Sequence, residues 1–117
     1  NLCKVYADIG KKYYGEAIEH DYNISCEWAR IPHFYRAFYV YKYATGITAA
    51  INIAKRILSE GDKAVKDYFK FLSGGSSTDP VSLLKLAGVD LSTTRPFKVA
   101  MREFEETLTE FEKLMGI

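Results

Sequence analysis

The chain has 117 residues, 48% hydrophobic and 26% charged, a composition suited to one globular domain and unlike that of a disordered chain. Sixteen Lys and Arg against fifteen Asp and Glu leave a net charge of +1, which supplies no field to draw nucleic acid or an anionic membrane. The only histidines, His20 and His33, cannot form an H-E-x-x-H helix, and Cys3 and Cys26 form neither C-x-x-C nor a zinc-ribbon spacing, so no metal site is expected within the chain.

Helix punctuation is frequent and alternating strand patterns are missing, which predicts an all-α chain, a helical bundle over residues 1–117. No run of about 18 apolar residues suggests a membrane span. Leu2, Val5, Tyr6 and Ile9 predict a first helix from Leu2 to Tyr14, ended by Gly15. Glu16 to Ile24 reads as a short helix and loop, with Ser25 or Asn23 as a cap before Cys26, Glu27 and Trp28. A Cys3–Cys26 disulfide is compatible with the sequence, but reduced thiols are the expectation. Asn1-Leu2-Cys3 carries no initiator Met or leader pattern and is expected to open a piece of something longer.

Pro32 disfavours helical geometry at Ile31 and suits the first turn of the next helix. That helix is expected from about Pro32 to Ser59 as one long, buried, aromatic element. Gly61 would end it and Asp62 would cap a helix from Lys63 to Leu72, with Val65, Tyr68, Phe69 and Leu72 inward. Gly74-Gly75-Ser76-Ser77 reads as a connection, since it lacks the G-x-x-x-x-G-K-[ST] pattern of a phosphate loop. Asp79-Pro80 starts a short helix that Gly88 terminates. Pro96 opens a last helix to Met115, with Phe97, Met101, Phe104, Leu108, Phe111 and Met115 as its apolar stripe and five glutamates on its wet side.

Chemistry concentrates between Arg30 and Tyr43, where His33 is followed by Tyr35, Tyr39, Tyr41 and Tyr43. Phenol and imidazole groups are good donors to a developing oxyanion, and a rigid element can align several of them along a cleft. Read from residue types alone, the same rings equally suit a core whose polar tips find backbone partners. Glu16, Glu19 and Glu60 fit no ligand spacing and read as solvated carboxylates.

The stretch Glu27-Trp28-Ala29-Arg30-Ile31-Pro32-His33-Phe34-Tyr35, followed by Phe38-Tyr39-Val40-Tyr41-Lys42-Tyr43-Ala44-Thr45-Gly46, resembles the C-terminal region of oligoendopeptidase F. Tyr68-Phe69-Lys70-Phe71-Leu72, Gly74-Gly75-Ser76-Ser77 and Ala87-Gly88-Val89-Asp90-Leu91 extend the resemblance over nearly the whole chain. It implies the C-terminal part of a two-lobed, all-α zinc metallopeptidase of the thimet oligopeptidase type, cytoplasmic, hydrolysing short peptides in a deep channel. The zinc, held by an H-E-x-x-H helix and a downstream glutamate, would be bound in sequence N-terminal to Asn1 and not by this chain. His33 and Tyr41, with Tyr39 next, would stabilise the tetrahedral intermediate, and Tyr35 and His33 would bind substrate. Alone, the chain is expected to be inactive. Its partners would be short peptides and the N-terminal part of the same peptidase, with self-association of the isolated chain through its exposed channel wall and no nucleic-acid or membrane partner. The contrasting reading is a free-standing helical module that binds a peptide or protein without catalysis.

Overall fold

The computed structural model describes residues 1–117, and every regular element in it is helical. Contacts divide the chain into two compact units, Asn1–Lys42 and Tyr43–Ile117.

The first unit opens with α1, Leu2–Tyr14, over the span its apolar spacing predicts. Gly10, inside α1, leaves room for the His20 ring: a Cβ there would stand 3.1 Å from His20 Cε1. Both His20 nitrogens are buried without a hydrogen-bond partner, so the ring serves as packing. A one-turn helix, α2, spans Tyr22–Ser25. Asp21 caps it, its carboxylate accepting the Ile24 N–H at 2.7 Å. A 3-10 turn over Glu27–Arg30 follows, with Cys26 at its cap position and no side-chain cap bond, which corrects the expectation of a cap from Ser25 or Asn23. Ile31 is extended, as a residue before proline prefers, and Pro32 opens a second 3-10 turn, Pro32–Tyr35.

Here the structure departs from the expected long helix. Arg36 is extended and Phe38 takes a left-handed backbone with φ 55°. Helix α3 starts only at Tyr41 and runs to Glu60. The sequence holds no glycine, asparagine or proline between Tyr35 and Tyr41 to announce the interruption. The expected burial is corrected as well: Phe34, Tyr35, Phe38, Tyr41 and Tyr43 are all exposed.

In the second unit, α4 spans Asp62–Ser73, α5 spans Pro80–Leu86 and α6 spans Arg95–Met115. Asp79 caps α5 by accepting the N–H groups of Val81 and Ser82, both at 3.0 Å. Asp62 does not cap α4 through its side chain; Gly61 occupies the cap position. Small residues dominate the core: Thr48 and Ala49 of α3, Ala64 of α4, Ala100 of α6, with Leu83, Ala87 and Val89. Small side chains let helix backbones approach closely. Between α4 and α5 the approach excludes a side chain at Gly74, where a Cβ would lie 2.6 Å from Leu83 Cδ2. Phe69 and Leu72, expected inward, are exposed, and so is the whole apolar stripe of α6.

Polar ties complete this unit. Arg56 Nη1 donates to the Ala87 carbonyl at 2.5 Å, and its other nitrogens pair with Glu60 at 2.7 and 2.9 Å and with Asp67 at 3.4 Å. One guanidinium thereby links α3 to α4 and to the end of α5. Asn52 Nδ2 bridges the Thr48 and Pro96 carbonyls, both at 2.9 Å, joining α3 to α6. No helix is long and apolar enough to cross a membrane.

Candidate functional site

All four side chains singled out in the sequence lie in the Asn1–Lys42 unit, on or beside the non-α stretch between Pro32 and Tyr41. Proline sets the start of this stretch by fixing its own φ and removing a donor. The aromatic residues that follow have modest helix propensity and do not resist the break.

His33 sits in the second 3-10 turn with its side chain exposed. Its ring lies against that of Tyr39, centroids 5.6 Å apart and planes tilted by 41°. Such a tilted pairing is a favourable aromatic geometry and fixes the imidazole relative to the phenol. Tyr39 is half-buried and carries two cations: Lys42 Nζ lies 3.8 Å from its ring centroid and the Arg36 guanidinium carbon 5.4 Å. Lys42 and Arg36 escaped the sequence reading. The i, i+3 spacing of Tyr39 and Lys42 is the signal that could have marked one of them.

Tyr41 is the first residue of α3, with its ring exposed. A helix N-terminus carries partial positive charge and unsatisfied N–H groups, so negative charge is favoured near it. Tyr35 behaves differently. Its hydroxyl donates to the Ala29 carbonyl at 2.6 Å, tying the second 3-10 turn to the first. The structure therefore brings His33 and Tyr39 together, sets Tyr41 at the positive end of a helix and uses the Tyr35 hydroxyl as a brace.

The first 3-10 turn is held in turn by charge. Arg30 pairs with Glu27, whose other carboxylate oxygen accepts the Tyr6 hydroxyl at 3.3 Å. Burial, with the Glu27 carboxylate second, raises the Tyr6 phenol above its ordinary value. An open hollow beside this turn is lined by Asn23, Ile24, Cys26, Glu27, Ala29 and Arg30.

Phe38 adds strain. A left-handed backbone at a bulky non-glycine residue costs about 1–2 kcal/mol, and such outliers gather at functional sites. The side chain is 89% exposed, so packing does not offset the cost within the chain.

No three His, Cys, Asp or Glu side chains gather into a group that could hold a metal. What the site offers is hydrogen-bond donors and positive charge on an exposed, strained segment.

Similar proteins are peptidases by name. The chain is 48% identical to Oligopeptidase PepF of Bacillus subtilis over 114 residues, which is 97% of this chain and 17% of that protein. It is 40% identical to the plasmid oligoendopeptidase F of Lactococcus lactis over 114 residues, covering 97% of this chain and 19% of that protein. The chain thus spans less than a fifth of the length of these relatives. The crystal structure of oligoendopeptidase-F from Enterococcus faecium superposes with a TM-score of 0.85 at 42% identity, over 97% of this chain and 22% of that one. The helical architecture is therefore one that a solved oligoendopeptidase shares over the corresponding stretch. Residues 1–103 match Peptidase family M3, and with that match the chain belongs to the M3 peptidases.

Proposed function

We propose that residues 1–117 are one segment of a larger M3 peptidase that hydrolyses short peptides, and that the segment supplies the non-metal wall of the active-site channel. The observation that carries this reading is the placement of His33 and Tyr39, rings 5.6 Å apart, on an exposed non-α stretch of a chain in this family. Peptide hydrolysis passes through a tetrahedral intermediate whose oxygen takes up negative charge, and fixed donors aimed at that oxygen lower the barrier.

In this reading His33 and Tyr41 donate to the oxyanion. The positive end of α3 adds to the same stabilisation at Tyr41. Tyr39 holds the His33 ring through aromatic contact and collects the charges of Lys42 and Arg36 beside it. Tyr35 braces the turn that presents His33, and its exposed ring is a substrate-contact surface. Zinc, the general cofactor of M3 metallopeptidases, would supply the Lewis-acid chemistry. The residues present do not form a site for it, so in this reading its ligands come from another part of the peptidase, and turnover needs that part.

The test uses the intact peptidase carrying this segment. Tyr41→Phe is expected to lower kcat by about 10²–10³-fold, the usual cost of one oxyanion donor, with zinc content unchanged. Tyr39→Phe keeps the ring and is expected to cost less. Wild-type kcat in both Tyr41→Phe and His33→Gln would overturn the assignment. Peptide binding without cleavage by the intact protein would instead support the helical binding-module reading.

A further inference from the structure

The same unit holds a second reactive cluster that peptide hydrolysis does not use. Cys3 lies in the first turn of α1, and Cys26 follows α2 directly. Both are free thiols and half-buried. Their sulfurs stand 3.3 Å apart, although the residues are 23 positions apart in sequence. A disulfide requires about 2.05 Å, so the pair needs to close by roughly 1.2 Å.

The surroundings distinguish the two sulfurs. Trp28 Nε1 donates to Cys3 Sγ at 3.4 Å. An indole N–H is only a donor, so the Cys3 sulfur is an acceptor there. The Cys26 S–H is then the proton available to the contact between the sulfurs. Accepting from Trp28 first, and from Cys26 second, lowers the Cys3 thiol below its ordinary value. Cys26 is raised, chiefly by Cys3. The open hollow beside the Glu27–Arg30 turn has Cys26 in its lining, so a small molecule there reaches one sulfur of the pair, 3.3 Å from the other.

We propose that Cys3 and Cys26 form a thiol–disulfide exchange site that reacts with a small-molecule disulfide and closes to an intramolecular disulfide. The Cys3 thiolate attacks one sulfur of the small disulfide. The small S–S bond breaks and one small thiolate leaves, taking up a proton from water. The Cys26 thiolate, its proton passed to solvent, then attacks Cys3 Sγ in the mixed disulfide and expels the second small thiolate. The protein loses two protons and two electrons, and the small disulfide takes them up to become two thiols. The new bond staples α1 to the turn that Tyr35 braces through Ala29. The inference does not depend on the peptidase reading, because its readouts are thiols and mass.

The test incubates the intact protein with oxidised glutathione near neutral pH, then reads mass and maps the linkage by proteolysis. The expected product has lost two hydrogens and carries a Cys3–Cys26 link within one chain. Cys26→Ser is expected to stop at one glutathione on Cys3. Cys3→Ser is expected to react at Cys26 at least about 10-fold more slowly, because the thiolate is the nucleophile. Trp28→Phe is expected to move the rate–pH profile of Cys3 upward. Two persisting free thiols, a stable double glutathione adduct or equal rates in the two serine variants would overturn the proposal. Where a serine variant fails to fold, the mass and linkage of the wild-type product decide.

Discussion

Phe38 shows how a single residue sets the geometry of the candidate site. Its left-handed φ of 55° turns the chain between His33 and Tyr39, so their rings meet where a continuous helix would place them nearly two turns apart. The conformation opposes the intrinsic preference of an L-residue, and glycine adopts it without the Cβ penalty. Phe38→Gly is therefore expected to leave the folded unit intact or stabilise it by up to about 1 kcal/mol, read by urea denaturation. Clear destabilisation would mean that the ring, 89% exposed in this chain, is held by contacts elsewhere in the intact protein. His20 illustrates the opposite economy. A polar ring is buried against Gly10 with neither nitrogen bonded, a packing role that its residue type does not announce.

At the scale of elements, legibility followed the strength of local signals. The span of α1 followed from its apolar spacing and Gly15, and the start of α5 from Asp79-Pro80, because capping is decided by neighbours in sequence. The break from Arg36 to Val40 was not legible, because nothing in Arg36-Ala37-Phe38-Tyr39-Val40 marks a left-handed turn. The Tyr35 brace was invisible for a related reason: a hydroxyl that reaches a carbonyl six residues back depends on two consecutive 3-10 turns. The side of α4 that carries Phe69 and Leu72 was legible as apolar, but its burial was not, since burial depends on what covers it.

Arg56 gives this scale its prediction. Its guanidinium holds Glu60 below the usual carboxylate range, and it contributes to the lowering of Asp67 after Lys70. A carboxyl with a lower pKa in the folded state stabilises the fold above its unfolded pKa. That contribution is complete above the ordinary carboxylate value, about 4, and is lost as pH falls through the folded values. Stability should thus decline on acidification from about pH 5 downward. Arg56→Met is expected to cost about 2 kcal/mol near neutral pH, since it leaves the Ala87 carbonyl without its charged donor, and to flatten the acid dependence of Glu60. Urea midpoints measured between pH 3 and pH 7, on wild type and variant, check both. An unchanged acid slope in the variant would remove Arg56 as its cause.

The whole molecule differs from a self-sufficient domain of its size in what it leaves uncovered. The fully buried set is small and made largely of alanines, whereas Phe97, Met101, Phe104, Leu108, Phe111 and Met115 line α6 with 38–64% of each residue exposed. Tyr35, Phe38 and Tyr41 are exposed by 63–89% in the other unit. Apolar surface costs free energy in water at roughly 25 cal/mol per Å², and contiguous patches of this kind are ordinarily interfaces. Aromatic residues make up 15% of the chain, and most of them are among its exposed side chains. Off that stripe, α6 carries charge in two blocks. Arg95, Lys98 and Arg102 lie toward its N-terminus, and Glu103, Glu105, Glu106, Glu110 and Glu112 follow. Two such helices laid antiparallel would pair the blocks as well as cover the apolar faces. The isolated 117-residue chain is therefore expected to self-associate in a concentration-dependent way, and more strongly at low salt, where charge pairing is least screened. Multi-angle light scattering over a dilution series checks this. Phe104→Glu with Phe111→Glu should shift the mass toward the monomer, because the pair places charge inside the apolar stripe. A wild-type chain that stays monodisperse and monomeric at high concentration would show that these faces do not drive association by themselves.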